Sequence, residues 1–403
     1  MCGVALLGAF DRFNYGDLLF PVIAKREFAA NSPLACVRTY ALARSDLSRF
    51  GAEPTRSLRT LLQPGSLVEG DAVIFAGGGT IGAQWSAMHG NLLGRGGNVM
   101  LYYLHRLLGD DAVQALSRQR FGGCSALPWV IAPEDLPFPV PVAYNAVGAS
   151  EVVNLSPELR SRTLETLGRA SYVSVRDATS YALLAPVEAQ APLFMAPDSA
   201  VLMSEHFSVD WLAARASPAL LARVDEAPYV CFQADVRYVR RHREAIVAAL
   251  GEIYGRYGLP AALLPIGRYV GLEDQIALRE LHARLKTPSF LVGGHASIWE
   301  TMLVMAKASL FIGSSLHGAV TAQSFAVPHL GLDDPRRQKL GHYLATWDIA
   351  EQALCIAVHE MADLAGQALA VADEVRQSLR RHLIALSRRN FERMAGACAI
   401  AWA

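Results

Sequence analysis

The sequence predicts an α/β protein with parallel sheets, and three observations support this class. Short apolar runs that suit buried strands alternate with helical stretches along most of the chain. Strands separated by helices favour a parallel sheet covered on both faces. The length of 403 residues, with 52% hydrophobic and 18% charged side chains, is enough for two domains with large cores.

Charge and cysteine content exclude several kinds of protein. Lysine plus arginine equals aspartate plus glutamate at 37 each, whereas proteins that bind nucleic acid usually carry a basic excess. The six cysteines form no C-x-x-C pair and have no histidine nearby at ligand spacing, so we expect neither a metal site nor a disulfide framework. The N-terminal apolar run is short and lacks the basic start of a signal peptide, and no run reaches the ~18 apolar residues of a membrane span. We therefore predict a cytoplasmic protein.

In the first half, polar and glycine-rich turns follow predicted strands. The predicted strands are residues 4–8, 71–76, 142–147, 172–175 and 193–196, and the predicted helices are residues 18–30, 98–108, 159–170 and a stretch from 179. The proline-rich segment 126–141 indicates an irregular surface connection. Asp17 stands where a helix N-cap is expected, which is the simpler explanation of the turn that begins at Asn14.

Three consecutive glycines and a threonine follow the strand at 71–76, namely Gly77, Gly78, Gly79 and Thr80. Such a run usually marks backbone that must approach something closely, which can be a ligand, a crossing chain or a second domain. The spacing fits neither the dinucleotide fingerprint nor a P-loop.

The second half contains the turn around which we expect the site to form. Strands are predicted at 229–233, 261–265 and 290–292, and helices at 240–255, 274–285 and 297–308. An apolar strand from Ser309 then ends at Gly313, Ser314 and Ser315, and a helix follows that carries His317. A helix N-terminus at the carboxyl end of a parallel strand suits an anion, and a histidine there can donate or accept a proton. The alternative is a helix cap with a packed histidine.

Taken together, these turns resemble the polysaccharide pyruvyl transferase family. The matching motifs are Asn14-Tyr15-Gly16-Asp17, Gly77-Gly78-Gly79-Thr80, Ser174-Val175-Arg176-Asp177 with Ser180, Pro197-Asp198-Ser199-Ala200, Gly313-Ser314-Ser315-Leu316-His317 with Ala322 and Pro328, and Lys339 before a short helix. The resemblance spans residues 4 to 347. It implies two Rossmann-like domains facing a cleft, similar to the GT-B glycosyltransferases.

The predicted domains are an N-terminal domain on the acceptor side (1–205), a C-terminal domain on the donor side (206–355) and a helical tail (356–403) that can cross back to the first domain.

The resemblance also implies transfer of a pyruvyl group from phosphoenolpyruvate onto two hydroxyls of a glycan sugar, as a cyclic ketal. No cofactor or metal is needed. Arg176 is expected to clamp the donor, since guanidinium binds phosphate and carboxylate bidentately, although an ion pair with Asp177 or Asp198 is the alternative. His317 is the expected general acid, and Asp17 is a weaker candidate for the base, with a helix cap as its simpler role. We also expect Gly313, Ser314, Ser315 and Lys339 on the donor side, and Asn14, Gly78, Gly79 and Thr80 at the acceptor or its loop.

One position departs from the family pattern. Well-characterised members carry arginine immediately before the Leu-His pair, and this chain has Ser315 there. The missing charge can come from Arg268, from Lys339, or from Arg336 and Arg337 in the charged loop 333–339, which otherwise is a solvated surface loop.

Two other functions stay open at this point. A glycosyltransferase of the same fold would use a nucleotide sugar and would need a glutamate such as Glu300 at the ribose, although an ordinary helix-face residue is the simpler interpretation. A non-catalytic sugar-binding protein would have lost its donor site. The basic stretch 376–389 can touch the inner face of a membrane, or it can be a solvated helix face. The oligomeric state is not predicted.

Overall fold

The computed structural model describes residues 2–269, 273–335, 338–352 and 355–403. Across these ranges the strands form two parallel sheets. The strands are β1 (Cys2–Leu7), β2 (Ala35–Ala41), β3 (Arg56–Ser57), β4 (Ala72–Phe75), β5 (Val142–Val147), β6 (Tyr172–Val175), β7 (Leu193–Met195), β8 (Val230–Gln233), β9 (Ala261–Leu263), β10 (Ser289–Leu291), β11 (Leu310–Gly313), β12 (His329–Leu332) and β13 (Cys355–Ile356).

Helices connect the strands and cover the sheets. They are α1 (Tyr15–Asn31), α2 (Leu58–Leu61), α3 (Trp85–Leu92), α4 (Arg95–Leu108), α5 (Asp110–Phe121), α6 (Pro157–Leu167), α7 (Ala178–Leu184), α8 (Met203–His206), α9 (Val209–Ala213), α10 (Pro218–Glu226), α11 (Val236–Tyr257), α12 (Asp274–His282), α13 (Ile298–Ala306), α14 (Leu316–Ser324), α15 (Lys339–Trp347), α16 (Met361–Ala370) and α17 (Asp373–Ala397). In the described chain, no helix is both long and apolar enough to cross a membrane.

Each sheet reverses its strand order once, and the candidate site lies at those reversals. The first sheet runs β3-β2-β1-β4-β5-β6-β7 and the second runs β10-β9-β8-β11-β12-β13. The reversals fall between β1 and β4 and between β8 and β11, where ligands of open α/β sheets usually bind at the carboxyl ends of the strands. The central strands β4 and β8 are buried along their whole length, as expected for parallel strands covered on both faces.

The two halves contact each other along the segment that enters α1. Asn14 and Gly267 form an isolated antiparallel bridge between the halves. The Tyr15 amide donates to the Ile266 carbonyl at 3.3 Å, and the Tyr15 hydroxyl lies 3.0 Å from that of Thr321. These bonds fix the start of α1 against the second half.

The last helix contacts both halves. Asn390 on α17 accepts a hydrogen bond from the Tyr172 hydroxyl at 2.7 Å and donates to the Asn145 side chain at 2.5 Å. Near the start of the same helix, Arg376 donates to the Ala326 carbonyl at 2.8 Å. Helix α17 therefore links β5 and β6 of the first sheet to the loop before β12.

Two local predictions differ from the structure, and β2 is an example of a strand that was missed. Helix α1 begins at Tyr15, so Asp17 lies in its first turn and is not the N-cap; Asn14 has the extended backbone of that position. Segment 126–141 is irregular, but only its second part runs over the surface: residues 134, 135 and 137–139 are exposed, whereas Trp129 and Ile131 are buried and the Ile131 amide donates to the Tyr144 hydroxyl. Strand β2 was not predicted, and its first half is only partly buried, which weakens the apolar signal.

Candidate functional site

His317 lies at the seam between the two halves. It belongs to the first turn of α14, directly after β11, and its side chain is 9% exposed. A Cβ atom built on Gly16 would lie 1.8 Å from Nδ1 of His317, so only glycine allows this approach. The Phe20 ring packs edge-on against the imidazole at 5.4 Å between centroids. The glycine of the first predicted motif therefore makes room for the histidine of the last.

Asp198 joins His317 to Arg176. Its Oδ2 accepts a hydrogen bond from Arg176 Nη1 at 3.1 Å and lies 3.6 Å from His317 Nε2, with Arg176 and Asp198 both buried. Burial alone would raise the pKa of Asp198, but His317 and Arg176 outweigh it and the pKa lies below its ordinary value. The ion pair considered as an alternative for Arg176 is thus present with Asp198, whereas Asp177 is 4.0 Å from Arg176 Nε.

The glycine run passes beside the same groups. Gly77 and Gly78 have φ of +92° and +84°, a region that favours glycine. A Cβ on Gly78 would lie 3.6 Å from the Asp17 carboxylate, and one on Gly79 would lie 3.7 Å from Arg176 Nη2. Thr80 is buried, and its hydroxyl has no hydrogen-bond partner among the described residues. The backbone of the run therefore passes beside two charged side chains.

Asp17 is held by its own turn. Asn14 Nδ2 donates to Asp17 Oδ2 at 2.8 Å, and Arg12 Nη2 is 4.0 Å from the same oxygen. The Asp17 side chain is 14% exposed. It is therefore a paired carboxylate beside the glycine run.

A pocket of about 150 Å³ opens between the halves at His317. Residues from both halves line it: Asn14, Gln233, Asp235, Ile266, Gly267, Tyr269, Asp274, Ser314, Ser315, Leu316, His317 and Lys339. The first turn of α14 supplies part of this lining, and Lys339 is an exposed residue at the start of α15. The pocket thus combines a helix N-terminus and a lysine with carboxyl and amide groups.

Asp274 is a pocket residue that the sequence analysis missed. Its Oδ2 accepts hydrogen bonds from the Gly267 amide at 2.9 Å and from Gln233 Nε2 at 3.2 Å, and its Oδ1 has no partner in the described chain. Burial raises the pKa of Asp274 to about 7, although these hydrogen bonds lower it. The available signal was an aspartate at the start of a helix after a strand, which in sequence looks like an ordinary cap.

Ser315 occupies the position where the resemblance implied arginine, and it caps a helix. Its Oγ accepts a hydrogen bond from the Gly318 amide at 3.3 Å. The preceding Ser314 amide donates to the Gln233 carbonyl at 3.2 Å, and a side chain on Gly313 would meet the Phe311 ring. This turn is therefore shaped by tight backbone contacts.

The candidate replacements for the missing charge differ in position. Lys339 lines the pocket, whereas Arg268 stacks on Phe13 at 3.9 Å and is not among the lining residues. The Arg268 guanidinium nitrogens have no hydrogen-bond partner within the described residues, and burial lowers its pKa to about 10. Arg336 and Arg337 lie outside the described residues.

Both carboxylate oxygens of Glu300 accept hydrogen bonds from nearby backbone amides. One oxygen accepts from the Ser297 amide at 2.9 Å as part of a capping box, and the other accepts from the Ser217 amide at 3.1 Å. Burial alone would raise its pKa, but these bonds lower it below the ordinary value. The described residues contain no group of three or more histidine, cysteine or acidic side chains that could hold a metal ion.

Two parallel α/β units that place their reversals at a shared cleft define a GT-B fold, and solved structures match it over nearly the whole chain. UDP-GlcNAc 2-epimerase from Neisseria meningitidis, bound to UDP-GlcNAc, matches with a TM-score of 0.54 at 12% identity, covering 98% of this chain and 100% of its own. S. aureus MnaA, solved with UDP, matches with a TM-score of 0.55 at 11% identity, covering 99% of this chain and 98% of its own. A UDP-forming trehalose-phosphate synthase from Burkholderia xenovorans matches with a TM-score of 0.51 at 10% identity, covering 99% of both chains. At such identities the likeness shows the fold alone.

The sequence model of the polysaccharide pyruvyl transferase family matches residues 14–334. The chain therefore belongs to the polysaccharide pyruvyl transferase family. A search of curated proteins finds no match.

Proposed function

We propose that this protein transfers a pyruvyl group from phosphoenolpyruvate to two hydroxyls of a sugar, in a cell-surface polysaccharide or a lipid-linked glycan. The observation that carries the proposal is the pocket at His317, where the first turn of α14 and Lys339 face Asn14 of the other half. Membership of the family supports the same reaction class. Such a reaction would take place in the cytoplasm or at the inner face of the membrane, in the synthesis of envelope glycans.

The donor, phosphoenolpyruvate, fits the part of the pocket that the second half of the protein supplies. Phosphoenolpyruvate carries a phosphate and a carboxylate, which suit the N-terminus of α14 and the Lys339 ammonium. Ser314 and Ser315 can add hydroxyl donors at the same turn. Arg176 uses Nη1 for Asp198, is buried and is not among the residues that line the pocket, so the proposed donor contacts are those of α14 and Lys339.

Two groups can move protons. The His317 imidazole can donate a proton to the methylene carbon of phosphoenolpyruvate, which turns it into a methyl group and leaves the neighbouring carbon open to a sugar hydroxyl. Loss of phosphate and attack by the second hydroxyl then close the ketal. The two hydroxyl protons balance the proton added to carbon and the one carried away by phosphate. Asp274 titrates near neutrality and can accept a hydroxyl proton, while Asp17 stays a weaker candidate on the acceptor side with Gly78, Gly79 and Thr80.

Calorimetry with phosphoenolpyruvate tests the proposal, with UDP-GlcNAc titrated alongside. We expect saturable phosphoenolpyruvate binding that weakens about tenfold in Lys339→Ala, because a charge-assisted contact to phosphate is lost. Lys286→Ala is the matched control, since this exposed lysine lies between α12 and β10, away from the pocket. His317→Gln should retain binding but abolish phosphate release in the presence of a glycan acceptor.

Other outcomes separate the alternatives. Binding of UDP-GlcNAc alone would point to a nucleotide-sugar transferase. Binding of neither compound, with or without glycan, would contradict the proposal and favour a non-catalytic sugar-binding protein.

A further inference from the structure

Helix α4 turns apolar side chains toward solvent. Leu101 is the buried residue of this helix, and exposed apolar residues surround it. Those at least half exposed are Val99, Met100, Tyr102, Tyr103, Leu107 and Leu108. Leu107 is 79% exposed and Met100 is 58% exposed. Among the described residues, no other segment of this length gathers as many exposed large apolar side chains.

Four of these residues form one continuous face. Val99, Met100, Tyr103 and Leu107 are three or four positions apart around the helix, so they form a stripe along its outer surface, here called the α4 stripe. A helix on the surface of a protein usually shows the opposite arrangement, with polar residues outward. An exposed apolar patch of this kind marks an interaction surface.

One flank of the α4 stripe is basic. Arg95 and Arg106 lie on one edge of the stripe, on the side of Tyr102. The hairpin of α4 and α5 (residues 95–121) carries four arginines against two aspartates, whereas the whole chain is neutral. Apolar and tyrosine side chains bordered by arginine are typical of helices that lie in the interface of an anionic bilayer.

The helix that carries the stripe begins beside the second half. Arg95, the first residue of α4, forms an ion pair with Glu273 of the second half at 2.7 Å. The residue that follows Glu273 in the chain, Asp274, lines the pocket at His317. A surface docked on α4 would therefore lie beside the opening of the pocket.

We propose that the α4 stripe docks this protein on the surface of an anionic lipid bilayer. The apolar side chains enter the boundary between headgroups and acyl chains, and the exposed Arg106 beside the stripe faces anionic headgroups. A second copy of the chain fits less well, because an isologous contact would bring two net-positive hairpins together. If the proposed function holds, docking would present the cleft to a lipid-linked sugar; this last step rests on the proposed function, whereas docking does not.

Three of the five arginines in the tail stretch 376–389 are engaged elsewhere. Arg376 and Arg380 donate to the backbone carbonyls of Ala326 and Ser324, both at 2.8 Å. Arg380 and Arg388 also pair with Glu205. These contacts hold α17 against the body of the protein, so the membrane contact is placed on α4.

Co-sedimentation of the full chain with vesicles tests this docking. We expect binding to vesicles of phosphatidylcholine mixed with phosphatidylglycerol, weaker binding to phosphatidylcholine alone, and loss of binding at high salt. The double variant Met100→Glu/Leu107→Glu should bind the anionic vesicles about tenfold more weakly than the unmodified chain, because two side chains that insert into the bilayer become anionic. The matched control is Leu34→Glu/Val68→Glu, at residues 76% and 56% exposed outside α4, which should bind like the unmodified chain.

Equal binding of all three proteins, or no binding by any, would overturn the proposal. A dimer in light scattering that the α4 variant disperses, without vesicle binding, would assign the stripe to a second copy instead. Circular dichroism checks that the variants fold. Because the vesicles contain no sugar acceptor, failure here leaves the proposed reaction untouched, and failure of the reaction leaves this result standing.

Discussion

A single oxygen, Asp198 Oδ2, contacts both Arg176 and His317: it lies 3.1 Å from Arg176 Nη1 and 3.6 Å from His317 Nε2. Arg176 follows a strand of the first sheet and His317 follows a strand of the second, so one carboxylate oxygen connects the two halves. The contact holds the imidazole at the seam between the two halves.

Asp198→Asn should lower the free energy of unfolding by about 3–5 kcal/mol, because the buried Arg176 would lose the nearer of its two anionic partners. The pKa of Asp198 is lowered, so the stability it contributes is present above its ordinary value of 3.8 and is lost as pH falls through the lower value of the folded chain. Urea unfolding at neutral and acidic pH measures both effects. Glu226→Gln, which removes the exposed partner of Arg223, is the control and should leave stability nearly unchanged. A small loss at Asp198, similar to that control, would show that the cluster is solvated in solution.

Gly16→Ala should lower the free energy of unfolding by about 1–3 kcal/mol or more, because the added Cβ would lie 1.8 Å from the His317 ring. Turnover should fall as well, since His317, the proposed general acid, must move. Gly251→Ala, in the interior of α11 with no atom within 4 Å of the added carbon, should instead be neutral or stabilise by up to about 1 kcal/mol. If Gly16→Ala unfolds at the same urea concentration as the unmodified chain, the two halves do not hold this contact in solution.

Asp274→Asn should change how stability depends on pH. Burial raises the pKa of Asp274 from 3.8 to about 7, so the unfolded chain loses this proton at a lower pH than the folded chain does. The free energy of unfolding therefore falls as pH rises between these two values. Asparagine cannot ionise, so the variant should gain stability relative to the unmodified chain as pH is raised from 5 to 8. Urea midpoints across this range measure the difference. Asp111→Asn, at an exposed position on α5, is the control and should show no such gain.

The same variant tests the proposed proton transfer. If Asp274 accepts a hydroxyl proton, the rate of the unmodified enzyme should fall as pH drops below about 7, and Asp274→Asn should lose most activity at every pH. Full activity in the variant, with an unchanged pH profile, would remove Asp274 from the reaction and leave it a structural role beside Gly267.

Ser315→Ala and Ser156→Ala form a matched pair. Each serine caps a helix by accepting an amide hydrogen bond at 3.3 Å, from Gly318 and Leu159 respectively. Both variants should lose about 0.5–2 kcal/mol of stability in thermal or urea unfolding. Only Ser315→Ala should weaken phosphoenolpyruvate binding, because Ser315 lines the pocket. Equal binding by both variants would limit Ser315 to its role as a cap.

Much of this protein was determined by local sequence. Strands β5 and β6 have the predicted bounds, because continuous apolar runs between turn residues leave little choice of structure. The turn from Gly313 to His317 was also predicted as the end of a strand and the start of a helix. Local pattern determines such features because they depend on neighbouring residues.

Tertiary structure decided which of these turns meet. Gly16 and His317 are some 300 residues apart, and no local pattern says that one must be glycine because the other is histidine. The role of Asp274 was likewise hidden, since its raised pKa comes from burial beside Gly267 rather than from its helix. The outward apolar face of α4 is visible only once Leu101 is seen to be the side chain that the helix buries. Sequence determined the elements because apolar periodicity and turn chemistry are local, whereas contact, burial and charge pairing arise only when the two sheets are brought together.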